Sequence, residues 1–282
     1  AWMSWMRALV PADFRGRFFG RRQRFVMMGL IAANLLAASW VGWKPEGRYL
    51  GYAAVGTLGL VFAAISTWLL SRVPDVCRVD LPAKKGSLLN PRLYHPKVLV
   101  RTQGDYLRSL SEPWRNPRFR GVILFGAAFH GSMQLASSYF PYYFTRELGI
   151  SMSQVAFWSV LSNLGALLAA ARWGTWLDRA RDLRPTLRVL SFLLALSPIY
   201  YVIPSVSWVR TIAPLDYFSN GIIWIGYTLT LTTLMFRACP EGRSALYFSV
   251  YTASAGFAGA VGGILGSQLS EWLAPFGGFR AL

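Results

Sequence analysis

The positions with most chemical potential in this chain are polar side chains stranded in apolar sequence. Asp216 is the one charged residue of the apolar run 211–236. Asn220 follows four residues later, so on a helix the two share a face, and Trp224 and Tyr227 continue it. A carboxylate in such a setting needs a partner, a cavity or a route to water. Within 121–145, His130, Gln134, Ser137 and Ser138 fall on one side at helical spacing, followed by Pro141 among Tyr139, Tyr142 and Tyr143. A histidine there can titrate near neutral pH. His130 and Gln134 can equally serve as hydrogen-bonding glue between helices. Asn34 in 25–43 and Asn163 in 148–171 carry the same two readings. Beyond 148–171 stand Asp178 and Arg179, opposite charges suited to charge-assisted bonds with a neighbouring helix end, or simply a solvated loop pair.

These residues do not make a hydrolytic or redox centre. The only histidines are His95 and His130, too few for a multi-histidine metal site. No Gly-x-Ser-x-Gly, His-Glu-x-x-His or phosphate-binding loop appears. The expectation is therefore a non-enzyme with no cofactor and no metal. The lysines, Lys44, Lys84, Lys85 and Lys97, all lie between apolar runs, which rules out a retinal Schiff base within one. Cys77 and Cys239 are expected as free thiols.

The elements that must position these groups are the apolar runs themselves: 25–43, 51–71, 121–145, 148–171, 189–209, 211–236 and 244–270. A helix rising about 1.5 Å per residue needs roughly 20 residues to cross a hydrocarbon layer. The sequence thus predicts an all-α integral membrane protein, a polytopic bundle of seven transmembrane helices. Charge supports the count. Of 29 Lys and Arg, 24 fall in segments 1–24, 72–120, 172–188 and 237–243, which alternate along the chain, and five fall in the others. That asymmetry makes the basic connectors cytoplasmic. It also explains the net charge of +17 without nucleic acid. A plasma (inner) membrane location is expected, with lipid as a partner.

The connectors divide the chain into two helices over 1–71, a basic Pro-rich linker over 72–120 and five helices over 121–282. Lys44-Pro45-Glu46-Gly47 reads as an external turn, and about 97–111 as a surface amphipathic helix. Trp40, Trp43, Tyr49, Trp68, Trp173, Trp176, Trp208 and Trp272 mark water boundaries. Gly256, Gly259, Gly262, Gly263 and Gly266 suggest close packing at an interface between halves. Pro11 through Phe19 and Pro240 through Phe248 echo each other: a proline, an arginine, a small residue and an aromatic pair at a helix entrance. They lie six helices apart, the period of a parallel repeat.

With these features the chain resembles the major facilitator superfamily, whose members have twelve helices in two halves. Leu9-Val10-Pro11 through Arg15-Gly16 is similar to the loop before its fifth helix, and 72–120 to its linker. Asn116-Pro117-Arg118-Phe119-Arg120 is similar to the entry of its seventh. Gly174-Thr175-Trp176-Leu177-Asp178-Arg179 is similar to its Gly-x-x-x-Asp-Arg loop, without that motif's second glycine. The resemblance maps the chain to helices five to eleven. The chain also opens on Ala1 and stops soon after the seventh run, so a fragment is expected. The resemblance implies a secondary transporter moving a small-molecule substrate by alternating access; the titratable Asp216 and His130 add the expectation of coupling to an ion, such as the proton. It makes Gly174, Asp178 and Arg179 a conformational switch loop, and Arg15 and Arg243 equivalent inner-loop cations that pair with carboxylates or lipid phosphate. His130, Gln134, Asn163, Asp216 and Asn220 become candidates for the substrate pathway. A seven-helix receptor or a non-transporting membrane protein remains the alternative.

Overall fold

The structure is a computed structural model that describes residues 10–42, 48–72, 109–137, 140, 143–201, 203, 205–240 and 243–273. The 44–47 turn, the 97–108 part of the surface helix, Cys77, His95, Ser138, Tyr139, Pro141 and Tyr142 lie outside the described residues, as does most of the linker.

Long helices lie over the expected runs. They are α1 (Arg15–Gly42), α2 (Arg48–Ser71), α3 (Pro117–Ser137), α4 (Met152–Arg179), α5 (Arg184–Leu196), α6 (Val206–Ala238) and α7 (Ser244–Leu273). Two stretches, Met152–Arg179 and Ser244–Leu269, are long and apolar enough to cross a membrane, each with mean hydropathy 1.4. No strand occurs among the described residues.

Local chemistry sets the helix ends. Asn116 accepts from the amide of Arg118 (3.1 Å), and Pro117 occupies the first position of α3, where no amide hydrogen is needed. Ser151 and Gln154 form a reciprocal capping box at the start of α4, each side chain taking the other's amide at 3.4 Å. Gly149, at φ 62°, makes the left-handed turn ahead of it.

The described part of α3 runs to Ser137, Phe140 is again helical, and a π-helical turn covers Tyr143–Glu147. The run 189–209 is not one helix. α5 ends at Leu196, a 3-10 segment covers Ser197–Tyr201 around Pro198, and α6 begins at Val206, earlier than 211.

The chain forms two compact units. One comprises residues 1–11, 75–136 and 234–268. In it α3 and α7 approach backbone to backbone. A Cβ added at Gly262 would strike the carbonyl of Gly131, and one at Gly266 the carbonyl of Leu135. Gly259, Gly262 and Gly266 of α7 therefore pack against α3. Gly256 and Gly263 face open space.

The other unit comprises residues 12–74, 137–233 and 269–282. Here α4 is the central element. Gly165 of α4 meets the carbonyl of Phe218, Gly221 of α6 meets that of Ser162, and the Trp173 indole donates to the Ile222 carbonyl at 3.0 Å. An aromatic-rich core of Tyr143, Phe144, Ile150, Trp158, Tyr201, Val209 and Ala213 closes the end where α4 starts.

Candidate functional site

The C-terminal end of α4 is built on a four-residue register. Ala170, Gly174 and Asp178 are spaced i, i+4, i+8, so they line one stripe. Gly16 and Gly20 do the same on α1. The two stripes meet antiparallel. A Cβ at Gly20 would lie 2.6 Å from the Ala170 carbonyl oxygen, and a Cβ at Gly16 would strike that of Gly174. Only small residues permit so close a crossing.

The register carries Asp178 just past the start of α1. Its Oδ1 accepts from the amide of Gly16 (2.7 Å) and its Oδ2 from the amide of Arg17 (3.0 Å). Arg17 Nε stands 3.5 Å from Oδ2, and the Asp178 side chain is 5% exposed. The first amides of a helix lack intrahelical partners, and their end of the helix dipole favours an anion. Asp178 thus caps a helix 161 residues away in sequence. Its cationic partner is Arg17, while Arg179 ends α4 exposed. Arg15 opens α1 beside this cap.

At the other end of α4, within the same unit, Asp216 sits on α6 two residues after Pro214 and is 5% exposed. Tyr201 donates to Oδ2 at 2.7 Å and Asn220 to Oδ1 at 2.8 Å. The Ser197 hydroxyl lies 3.0 and 3.1 Å from the two oxygens. Asn220 also donates to Ser197 at 2.8 Å. The shared face of Asp216 and Asn220 expected from sequence is present, and the Trp224 and Tyr227 rings stack further along it, 5.5 Å apart. Ser197 and Tyr201 enter from the 3-10 segment after α5. Their spacing of four was a signal, but it falls where the sequence suggested a continuous helix. Asn163 lies half-buried on α4, next to the Ser162 carbonyl that meets Gly221.

The other unit holds His130 and Gln134 on α3. Gln134 lies against Gly259 of α7, since a Cβ there would be 3.3 Å from Gln134 Cγ. Arg243, just before α7, pairs with Glu112. Tyr247 donates to Glu112 at 3.3 Å, and its hydroxyl accepts from Asn116 at 3.4 Å. The Tyr247 ring meets Phe119 edge-on at 4.8 Å. Sequence reading named Arg243, with a carboxylate or a lipid phosphate as its partner, and did not single out Glu112. Gly20, Ala170 and Arg17 were also missed; the small residues repeated every four positions were the available signal. No group of three or more metal-ligating side chains occurs among the described residues.

A family model described as Major Facilitator Superfamily matches residues 1–280. No curated protein and no solved structure matches the chain.

Proposed function

Because this chain belongs to the major facilitator superfamily, we propose that it is a secondary transporter that moves a small solute by alternating access, with seven membrane-crossing helices and its basic connectors in the cytoplasm of a plasma (inner) membrane. Residues 1–71 end one half of the carrier, 72–120 link the halves, and 121–282 belong to the second half. The observation that carries this reading is the Asp178 cap on α1. On this division α1 and α4 come from different halves, so the cap is a latch across them.

A latch must hold and release. Asp178 bonds to backbone amides that no intrahelical carbonyl can satisfy, so the closed state gains two charge-assisted bonds. On opening, water can take both sides, which keeps the difference to a few kcal/mol, the range a bistable interface needs. Gly174 permits the approach, and Arg17 completes the charge balance.

Asp216 supports ion coupling. Tyr201, Ser197 and Asn220, which donate to its carboxylate, are neutral, so gain or loss of a proton or a small cation changes the net charge of the site. Asn163 extends the polar path on α4, and His130 with Gln134 supplies polar groups on α3. The test is reconstitution of the full chain in vesicles, with solute accumulation measured under imposed proton and sodium gradients. Asp178→Asn should abolish accumulation while circular dichroism stays unchanged. Normal accumulation by that variant removes the latch, and no solute movement by the parent under either gradient removes the carrier.

A further inference from the structure

The entrance of α1 holds a second feature, which shares only Arg17 with the latch. Arg17, Arg21 and Arg24 are spaced i, i+4, i+7 and form one stripe, with Phe18, Arg22 and Phe25 forming the next at the same spacing. These residues, with Ala171 and Thr175 of α4, line an open cavity of about 1090 Å³. Four guanidinium groups thus serve one hollow, and no acidic side chain is among the described residues lining it. The lining is mixed: Arg17, Arg21, Arg22 and Arg24 supply charge, and Phe14, Phe18, Phe25, Val26 and Ala171 supply apolar surface, with Phe25 and Val26 opening the apolar run 25–43. Phe25 is 73% exposed although it is a large apolar ring.

We infer that this cavity is a binding site for one phospholipid with an anionic headgroup, its phosphate held by the arginines and an acyl chain lying over Phe25, Val26 and Ala171. Guanidinium groups match phosphate oxygens in paired, planar fashion. An inorganic anion has use for the arginines but none for the apolar lining at Phe25, Val26 and Ala171. Anionic lipid is concentrated in the cytoplasmic leaflet, where the basic connectors are placed.

The site also bears on the latch, and this part rests on the transporter reading. Its walls come from both α1 and α4, so the cavity is complete only while the two helices are packed. A ligand that binds one state better shifts the population toward it by the ratio of its affinities. Bound lipid therefore favours the Asp178-capped state. Arg17 serves both, since it lines the cavity and pairs with Asp178.

Native mass spectrometry of the purified full chain with added phosphatidylglycerol tests the site. The parent should retain a lipid that phosphatidylcholine does not replace. Arg21→Gln and Arg24→Gln together should weaken retention about 25-fold, roughly fivefold per charge near a membrane surface. Arg184→Gln with Arg188→Gln, exposed and outside the cavity, should leave retention unchanged. Phe25→Ala removes part of the apolar wall without touching charge and should also weaken retention. Equal loss in both arginine pairs would show general surface charge and overturn the site. Displacement by inorganic phosphate as effective as by lipid, or no effect of Phe25→Ala, would show an anion site and overturn the lipid. Hydrogen exchange at the Gly16 and Arg17 amides should slow severalfold when phosphatidylglycerol is bound. Unchanged exchange with lipid retained would remove the link to the latch and leave the lipid site standing.

Discussion

One methyl group at Gly20 should open the Asp178 cap two turns of α4 away. In Gly20→Ala the new Cβ would lie 2.6 Å from the Ala170 carbonyl oxygen, whereas ordinary contact begins at 3.4 Å. Both obstacles are backbone, because a Cβ there also meets Gly174 Cα at 3.2 Å. Neither can rotate away, so the helices must part by about 0.8 Å, the difference between those two distances. Carried along the stripe, that shift would stretch the Asp178 bonds from 2.7 and 3.0 Å to about 3.5 and about 3.8 Å, past useful hydrogen-bond length. Loss of a helix cap costs roughly 0.5–2 kcal/mol, so the uncapped population should rise between about twofold and thirtyfold. The assay is hydrogen exchange at the Gly16 and Arg17 amides in detergent, read by mass spectrometry. Gly29→Ala is the control: it lies on the same helix with nothing within 4 Å, and gains helix propensity. Exchange in Gly20→Ala equal to that in Gly29→Ala would refute the register argument, because the cap would then survive without the close crossing.

Two further outcomes follow from the packing. Tyr201→Phe removes the shortest bond to Asp216 (2.7 Å) and should cost about 1.5–3 kcal/mol, the range for a bond to a charged group, measured as a lowered thermal midpoint in detergent; an unchanged midpoint would mean that Ser197 and Asn220 suffice. Gly262→Ala and Gly263→Ala should diverge although they are neighbours. The first drives a methyl into the Gly131 carbonyl and should lower the thermal midpoint, while the second enters open space and should hold or raise it; equal midpoints would contradict the α3–α7 contact.

The apolar runs were legible because a span is a property of composition over about 20 residues, and α1, α2, α4 and α7 follow it closely. Its breaks were not. The run 189–209 was read as one helix, but α5 ends at Leu196 and a 3-10 segment around Pro198 follows. Whether a proline bends or ends a helix depends on which neighbours can satisfy the freed carbonyls, and that is tertiary information. The Asp216–Asn220 pair was legible because both lie on one helix. Ser197 and Tyr201 were not, because their contribution depends on a turn between α5 and α6. Asp178 was legible as a charge at a helix end. Its partner was not, since Gly16 and Arg17 stand some 160 residues away and contribute backbone amides, which every residue has. The glycine stripe of α7 shows the converse: its spacing announced a close crossing, but not that the partner would be α3.

The two buried carboxylates differ in a way that separates latch from anchor. Asp216 draws its bonds from Ser197, Tyr201 and Asn220, all within 23 residues along α5, its 3-10 extension and α6. Those elements are joined by a short connection, so parting them would mean unfolding. Asp178 instead draws on Gly16 and Arg17 across a crossing whose closest approaches are at Gly16, Gly20, Ala170 and Gly174. Van der Waals packing holds such a crossing, and small residues let the helices slide without side chains unlocking. The charge-assisted cap adds two bonds that hold only one register of it. A contact that rests on two bonds to backbone amides can be tuned by one charge, which is why the sequence places Arg17, rather than a neutral residue, beside it. Arg17→Gln should therefore loosen the cap without altering the helix crossing, and hydrogen exchange faster at Gly16 with unchanged exchange at Gly20 would be its signature; parallel acceleration at both would mean that packing, not charge, holds this end of the crossing.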